Sequence, residues 1–204
     1  LAKYYQNTSD VNRFFNSTSI NYDLTDDFSI TYRIGLDTYT EIQEKRYNKG
    51  AGSGSAAIQS GLYETANITN TIWNQDLILN WKKQFSDDFG MSALLGGNSR
   101  YDTFTRTGIE SQNQLAFGLF NHSNFTSANA AGLNRLQEQR RMGVYANLTF
   151  DYSNFLYLNL SARNDWTSTV EKENRRIIYP GASVSFIPST AFDWNSSTIN
   201  DLKL

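Results

Sequence analysis

The 204-residue chain has no cysteine, which excludes a disulfide framework, a thiolate nucleophile and cysteine-ligated zinc. Proline occurs only as Pro180 and Pro188, and histidine only as His122. A charge excess is also missing. The 18 basic and 20 acidic residues leave a formal charge of −2, without the basic footprint of a nucleic-acid-binding surface. No apolar run approaches the roughly 18 residues of a membrane helix. The opening Leu1-Ala2-Lys3-Tyr4-Tyr5 has neither an initiator Met nor the apolar core of a signal peptide. Aromatics, in contrast, make up 14% of the chain, with 12 Tyr and 13 Phe, and Asn, Ser and Thr are abundant. This is an all-β composition. Helix formers concentrate only over residues 133–141.

The pattern is clearest over residues 142–186. Met142, Val144, Ala146, Leu148, Phe150 and Tyr152 alternate with Gly143, Tyr145, Asn147, Thr149 and Asp151. After a tight turn, Leu156, Leu158, Leu160 and Ala162 alternate with Tyr157, Asn159, Ser161, Arg163 and Asp165. A period of two is that of a β-strand, so this is a long antiparallel hairpin with one apolar and one polar face. A return strand over 176–187 sets Ile178, Pro180, Ala182, Val184 and Phe186 against Tyr179, Gly181, Ser183 and Ser185. Each arm is longer than an ordinary soluble strand and covers the roughly 9–11 residues of a tilted transmembrane strand. On that reading Leu148, Phe150, Leu156, Leu158, Leu160, Val184 and Phe186 face lipid. Phe150, Tyr152, Phe155 and Tyr157 form an aromatic girdle near the turn. Because a proline within a strand needs an edge or a bulge, a local irregularity is expected at Pro180.

Earlier strands are expected over 14–24, 28–46, 62–85 and from 89 to near Thr107. Thr18, Ile20, Tyr22 and Leu24 lie on the apolar side of the first. Ile78 and Leu94 fall on the polar face of their strands and fit it imperfectly. Residues 48–55 read as a flexible, glycine-rich connection. Residues 108–137 lack clean alternation and include a possible helical turn near 128–136. Three tight turns (25–27, 86–88, 151–154) alternate with longer connections (47–61, 108–136, 167–174). Such alternation puts the tight turns at one end of a sheet and the long loops at the other, the asymmetry of outer-membrane barrels. Both termini lie within patterned sequence, and Ile199-Asn200-Asp201-Leu202 reads as another strand beginning. The expectation is a piece of a larger protein.

The runs Arg141 through Tyr152, Phe155 through Thr169 (including Arg163-Asn164-Asp165-Trp166), Asn174-Arg175, Tyr179-Pro180 and Ser183-Val184-Ser185-Phe186 closely resemble the barrel of SusC/RagA-type TonB-dependent transporters of Bacteroidetes. Tyr32 through Asp37 and Tyr47-Asn48-Lys49-Gly50 are similar to the same family. The resemblance implies that residues 1–204 are about seven or eight strands of a 22-stranded transmembrane barrel, with the plug domain and TonB box lying outside this sequence. It also implies an outer-membrane location, a SusD-like surface lipoprotein as partner, energy from the TonB complex, and import of oligosaccharides or peptides. No cofactor, metal or catalytic group is implied.

Asp37, Glu41, Arg163 and Asp165 lie on the polar faces and are the lumen-facing candidates. The plainer reading of the Arg163–Trp166 run is an inter-strand hydrogen-bond and ion-pair network near the extracellular rim; the sharper one is substrate contact. His122 reads as a loop residue, since no cysteine accompanies it and no triad partner is defined. Gly50 to Gly54 lacks the lysine of a phosphate loop. Two other classes stay open: a small self-contained outer-membrane barrel acting as adhesin or passive pore, and a soluble β-sandwich binding module.

Overall fold

The computed structural model describes residues 5–50, 54–130, 132–171, 173 and 177–192. The elements are β1 (Tyr5–Thr25), β2 (Phe28–Tyr47), α1 (Ala56–Gln59), β3 (Leu62–Ser86), β4 (Phe89–Gln114), a 3-10 turn (His122–Asn124), β5 (Phe125–Asn129), β6 (Arg135–Tyr152), β7 (Leu156–Thr167), β8 (Ile177–Phe186) and α2 (Pro188–Ala191). All described strands belong to one sheet, ordered β1-β2-β3-β4-β6-β7-β8, with β5 paired to β4. This is an all-β meander of consecutive neighbours, as the period-two runs require.

Register verifies the two faces of the C-terminal strands. Phe150 pairs with Leu158 and Leu148 with Leu160 across β6 and β7; Leu156 pairs with Phe186 and Leu158 with Val184 across β7 and β8. Directly opposed residues of an antiparallel ladder share a face, so all seven apolar candidates stand on one side. Thr149, Asn159 and Ser183 stand on the other. Leu156 and Leu160 are each 38% exposed. Among the described residues no second sheet covers them.

The chain divides into two compact units, residues 1–16, 36–72 and 102–138 in one and 17–35, 73–101 and 139–204 in the other. The second unit contains the three tight turns, and each touches a neighbouring strand end. The Lys82 amide donates to the Asp27 carbonyl at 2.8 Å. Likewise, the Ser153 amide donates to the Asp88 carbonyl at 2.6 Å, and the Ile187 amide to the Phe155 carbonyl at 2.8 Å. Ser153 and Asn154 take φ of 48° and 58°. Asn is among the residues that enter this left-handed region most readily, and the turn is closed by the Asn154 backbone N–H, which donates to the Asp151 carboxylate at 3.1 Å.

The first unit holds most of the buried apolar groups, Leu62, Tyr63, Ala66, Ile68 and Phe125. Buried amides tie its loops. Gln114 Nε2 donates to Asn48 Oδ1 at 3.2 Å, Asn48 Oδ1 also accepts from the Gly118 amide at 2.7 Å, and Asn124 Nδ2 donates to the carbonyls of Ala116 and Leu119, each at 2.8 Å. These buried side chains find their own partners in loop backbone groups, so burial leaves none of the three unsatisfied.

Several expectations are corrected. Residue 48 is buried and residue 50 is bonded to Gln59, so the start of the 48–55 connection is anchored rather than flexible. β4 continues past Thr107 to Gln114, and β5 folds back on it with Ser111 opposite Ala128. Among the described residues of 128–136 there is no helix: β5 occupies their start and β6 begins at Arg135. The helical turn lies instead at His122–Asn124. β1 also extends back to Tyr5. Pro180 pairs with Ala162 in an unbroken register, because β8 is the last strand of the described sheet and its outer edge needs no donor. The expectations on Asn174-Arg175 and on residues 199–202 lie outside the described residues.

Candidate functional site

The polar face of the sheet is where chemistry-bearing side chains collect. In the second unit, Arg163 Nε donates to both Asp165 oxygens at 2.8 and 2.9 Å, and Nη2 lies 2.7 Å from Oδ1. The pair runs along β7. It does not bridge two strands, as the sequence reading expected, because Asp165 lies opposite Gly143, which has no side chain to meet it. A Cβ on Gly143 would stand 2.4 Å from Asp165 Oδ1 and 2.6 Å from Arg163 Nη2; the glycine makes room for the ion pair. The Arg163 guanidinium carbon also lies 5.4 Å from the Tyr145 ring centroid. That ring in turn covers Gly96, where an added Cβ would approach its Cζ to 2.1 Å. Asp76, whose Oδ1 accepts from Asn98 Nδ2 at 2.7 Å, adds negative potential at Arg163.

In the first unit, Arg13 and Asp37 form a two-pronged pair, with Nε to Oδ1 at 2.9 Å and Nη2 to Oδ2 at 2.6 Å. Glu41 Oε1 accepts from Ser9 Oγ at 2.6 Å and Gln43 Nε2 at 2.7 Å. All four charged candidates are therefore engaged within the protein, and they form two groups: Asp37 and Glu41 in one unit, Arg163 and Asp165 in the other.

A buried carboxylate was missed. The Glu64 side chain is 5% exposed and accepts from Lys45 Nζ at 3.1 Å and Arg106 Nη2 at 3.2 Å. Alternation puts Lys45, Glu64 and Arg106 on the polar faces of β2, β3 and β4, but no signal in the sequence aligns the three strands.

His122 is more than a loop residue. Its Nε2 and Nδ1 lie 2.9 Å from Thr65 Oγ1 and Ser111 Oγ respectively, and its ring is 4.5 Å from that of Tyr63. Burial lowers the His122 pKa, and burial raises that of the Tyr63 phenol. A neutral imidazole suits the setting, since the hydroxyls can accept from one nitrogen and donate to the other. Among the described residues no group of three or more His, Asp or Glu is arranged to hold a metal ion.

No protein-family profile matches the chain, and no curated protein matches it. Solved structures do. The chain is 15% identical to a chain of the RagAB peptide transporter, with a TM-score of 0.85 over 96% of this chain and 22% of that one. Against the RagAB peptide importer in the 'open-open' state the TM-score is 0.87 at 16% identity, covering 100% of this chain and 22% of that one. The 'closed-closed' state gives 0.84 at 14% identity, covering 96% and 22%. This chain spans about a fifth of the length of the chains it matches, and at such identity the likeness is one of fold. The chain is an antiparallel β-barrel segment with the architecture of part of the RagAB chains.

Proposed function

We propose that residues 1–204 are a stretch of barrel wall, seven or eight strands of about 22, in an outer-membrane importer of large nutrients, peptides or oligosaccharides. The observation that carries this reading is a single uncovered sheet with an apolar face bounded by aromatics at both ends. At the tight-turn end, Trp81, Phe85 and Phe89 form one chain of ring contacts and Tyr152, Phe155, Phe186 and Phe192 another, with centroids 5.6 to 6.2 Å apart. Toward the other end stand Trp73 and Trp166, 39% and 38% exposed. From Phe155 to Trp166 is eleven residue steps, about 36 Å along a strand and about 25 Å across a bilayer at a 45° tilt, the height of a barrel's apolar band.

In this reading Leu148, Phe150, Leu156, Leu158, Leu160, Val184 and Phe186 meet acyl chains. Asp37, Glu41, Arg163 and Asp165 line an aqueous lumen and tune its selectivity. The wall performs no bond chemistry. Plug and TonB box belong to other parts of the protein, the TonB complex supplies energy, and a SusD-like surface lipoprotein presents the nutrient to the long loops, a division of labour that fits the likeness to a peptide importer. The test is growth of cells lacking the full-length protein on peptides or oligosaccharides as sole nutrient, with affinity capture of a surface lipoprotein by the tagged protein. Unimpaired growth on every such nutrient and no captured lipoprotein overturn it.

A further inference from the structure

The apolar face carries a feature that import leaves unused. Between Leu77, Met142, Val144 and Trp166 lies a cleft of about 260 Å³ over Gly97. An added Cβ on Gly97 meets no atom within 4 Å, so the floor is open because glycine leaves it so. Leu77, Met142, Val144 and Trp166 are all 38% to 58% exposed, and nothing in the sheet itself covers them.

At the rim the side chains change character. Arg140 stands two residues beyond Met142 on the same face of β6, and Ser168 two beyond Trp166 on the same side of the hairpin. They face each other: the Ser168 amide donates to the Arg140 carbonyl, and the Arg140 amide donates to Ser168 Oγ, both at 2.9 Å. A hydroxyl that accepts this bond keeps its proton free to donate elsewhere. The Arg140 guanidinium is held 4.8 Å from the Tyr101 ring centroid. Arg140 takes part in none of the ion pairs among the described residues. A cation with an adjacent hydroxyl donor above an apolar cleft is complementary to an amphiphile with an anionic head, and guanidinium matches phosphate in particular.

We infer that this cleft binds a phosphate-bearing membrane lipid, its headgroup on Arg140 and Ser168 and one acyl chain against Gly97. The inference rests on the proposed assignment of the apolar face to the bilayer.

The test is native mass spectrometry of the full-length protein with bisphosphorylated lipid A and its dephosphorylated form, after reconstitution in phosphatidylcholine nanodiscs. The wild type retains the phosphorylated lipid and loses the other. Arg140→Gln lowers retention about tenfold, the loss of a charge-assisted contact. Gly97→Leu, for which the cleft has room, lowers it as strongly by filling the tail site, and millimolar inorganic phosphate does not displace the lipid. Leu156→Ala, far from the cleft, leaves retention unchanged. Equal retention by wild type and both cleft variants, or displacement by free phosphate, overturns the inference while leaving the barrel reading intact. Failure of the wild type to enter nanodiscs overturns both.

Discussion

Glu64 is the charged side chain most removed from water among the described ion pairs, and its two cationic partners are what make that tolerable. Glu64→Gln leaves Lys45 and Arg106 without their counter-charge and is expected to cost about 1–3 kcal/mol, measured by urea unfolding of the detergent-solubilised protein. His122 supplies a pH test. Its pKa is lowered in the fold by burial, so the unfolded chain takes up a proton first as pH falls. The His122 contribution to stability is therefore complete above about pH 6.5, the unfolded value, and is lost as pH drops through the lower folded value. Melting temperature should decline over that window in the wild type and less in His122→Gln; parallel curves count against it. At this scale the sequence identified residue types and faces but not partners. Alternation set Arg163 and Asp165 on one face, yet nothing about Gly143 in isolation marks it as the gap that accommodates them.

Among the elements, the β6–β7 hairpin was legible from Met142 onward because both arms alternate there without interruption and the apolar set of one meets that of the other only in the observed register. Leu158→Arg on the apolar face is expected to cost about 2–4 kcal/mol, whereas Asn159→Arg on the polar face is tolerated. Folding into lipid vesicles, followed by heat-shifted gel mobility, checks the order, and a reversal would exchange the two faces. The turn makes its own demand. Asn154→Val puts a β-branched residue at φ 58° and should lose about 1–2 kcal/mol, while Asn154→Gly keeps stability within a few tenths of the wild type. The stretch 133–141 was read less well, since its Leu, Gln, Glu and Arg favour helix. Arg140 and Arg141 instead complete backbone ladders with residues 168 and 167, and propensity is a weak prior against such pairing.

For the molecule as a whole, short and long connections alternate along the sequence, and on the proposed barrel reading they belong to opposite sides of a membrane. Absence of cysteine in this stretch makes the assignment testable by introduced thiols. Leu119→Cys, in an exposed loop of the first unit, should react with a membrane-impermeant maleimide on intact cells. Asp87→Cys, in a tight turn, should react only after the outer membrane is opened; the opposite pattern would invert the barrel. Composition and period alone determined that the chain is all-β, that its strands are two-faced and that its turns alternate in length, because the side-chain period of a strand is written directly into the residue order. Tertiary structure alone decided which charges meet, where β5 folds back, that buried amides hold the long loops, and that an open apolar cleft lies over Gly97 with Arg140 held against Tyr101 two residues beyond its Met142. Those features depend on the alignment of strands far apart in the chain, and alignment is set by the sum of all cross-strand contacts.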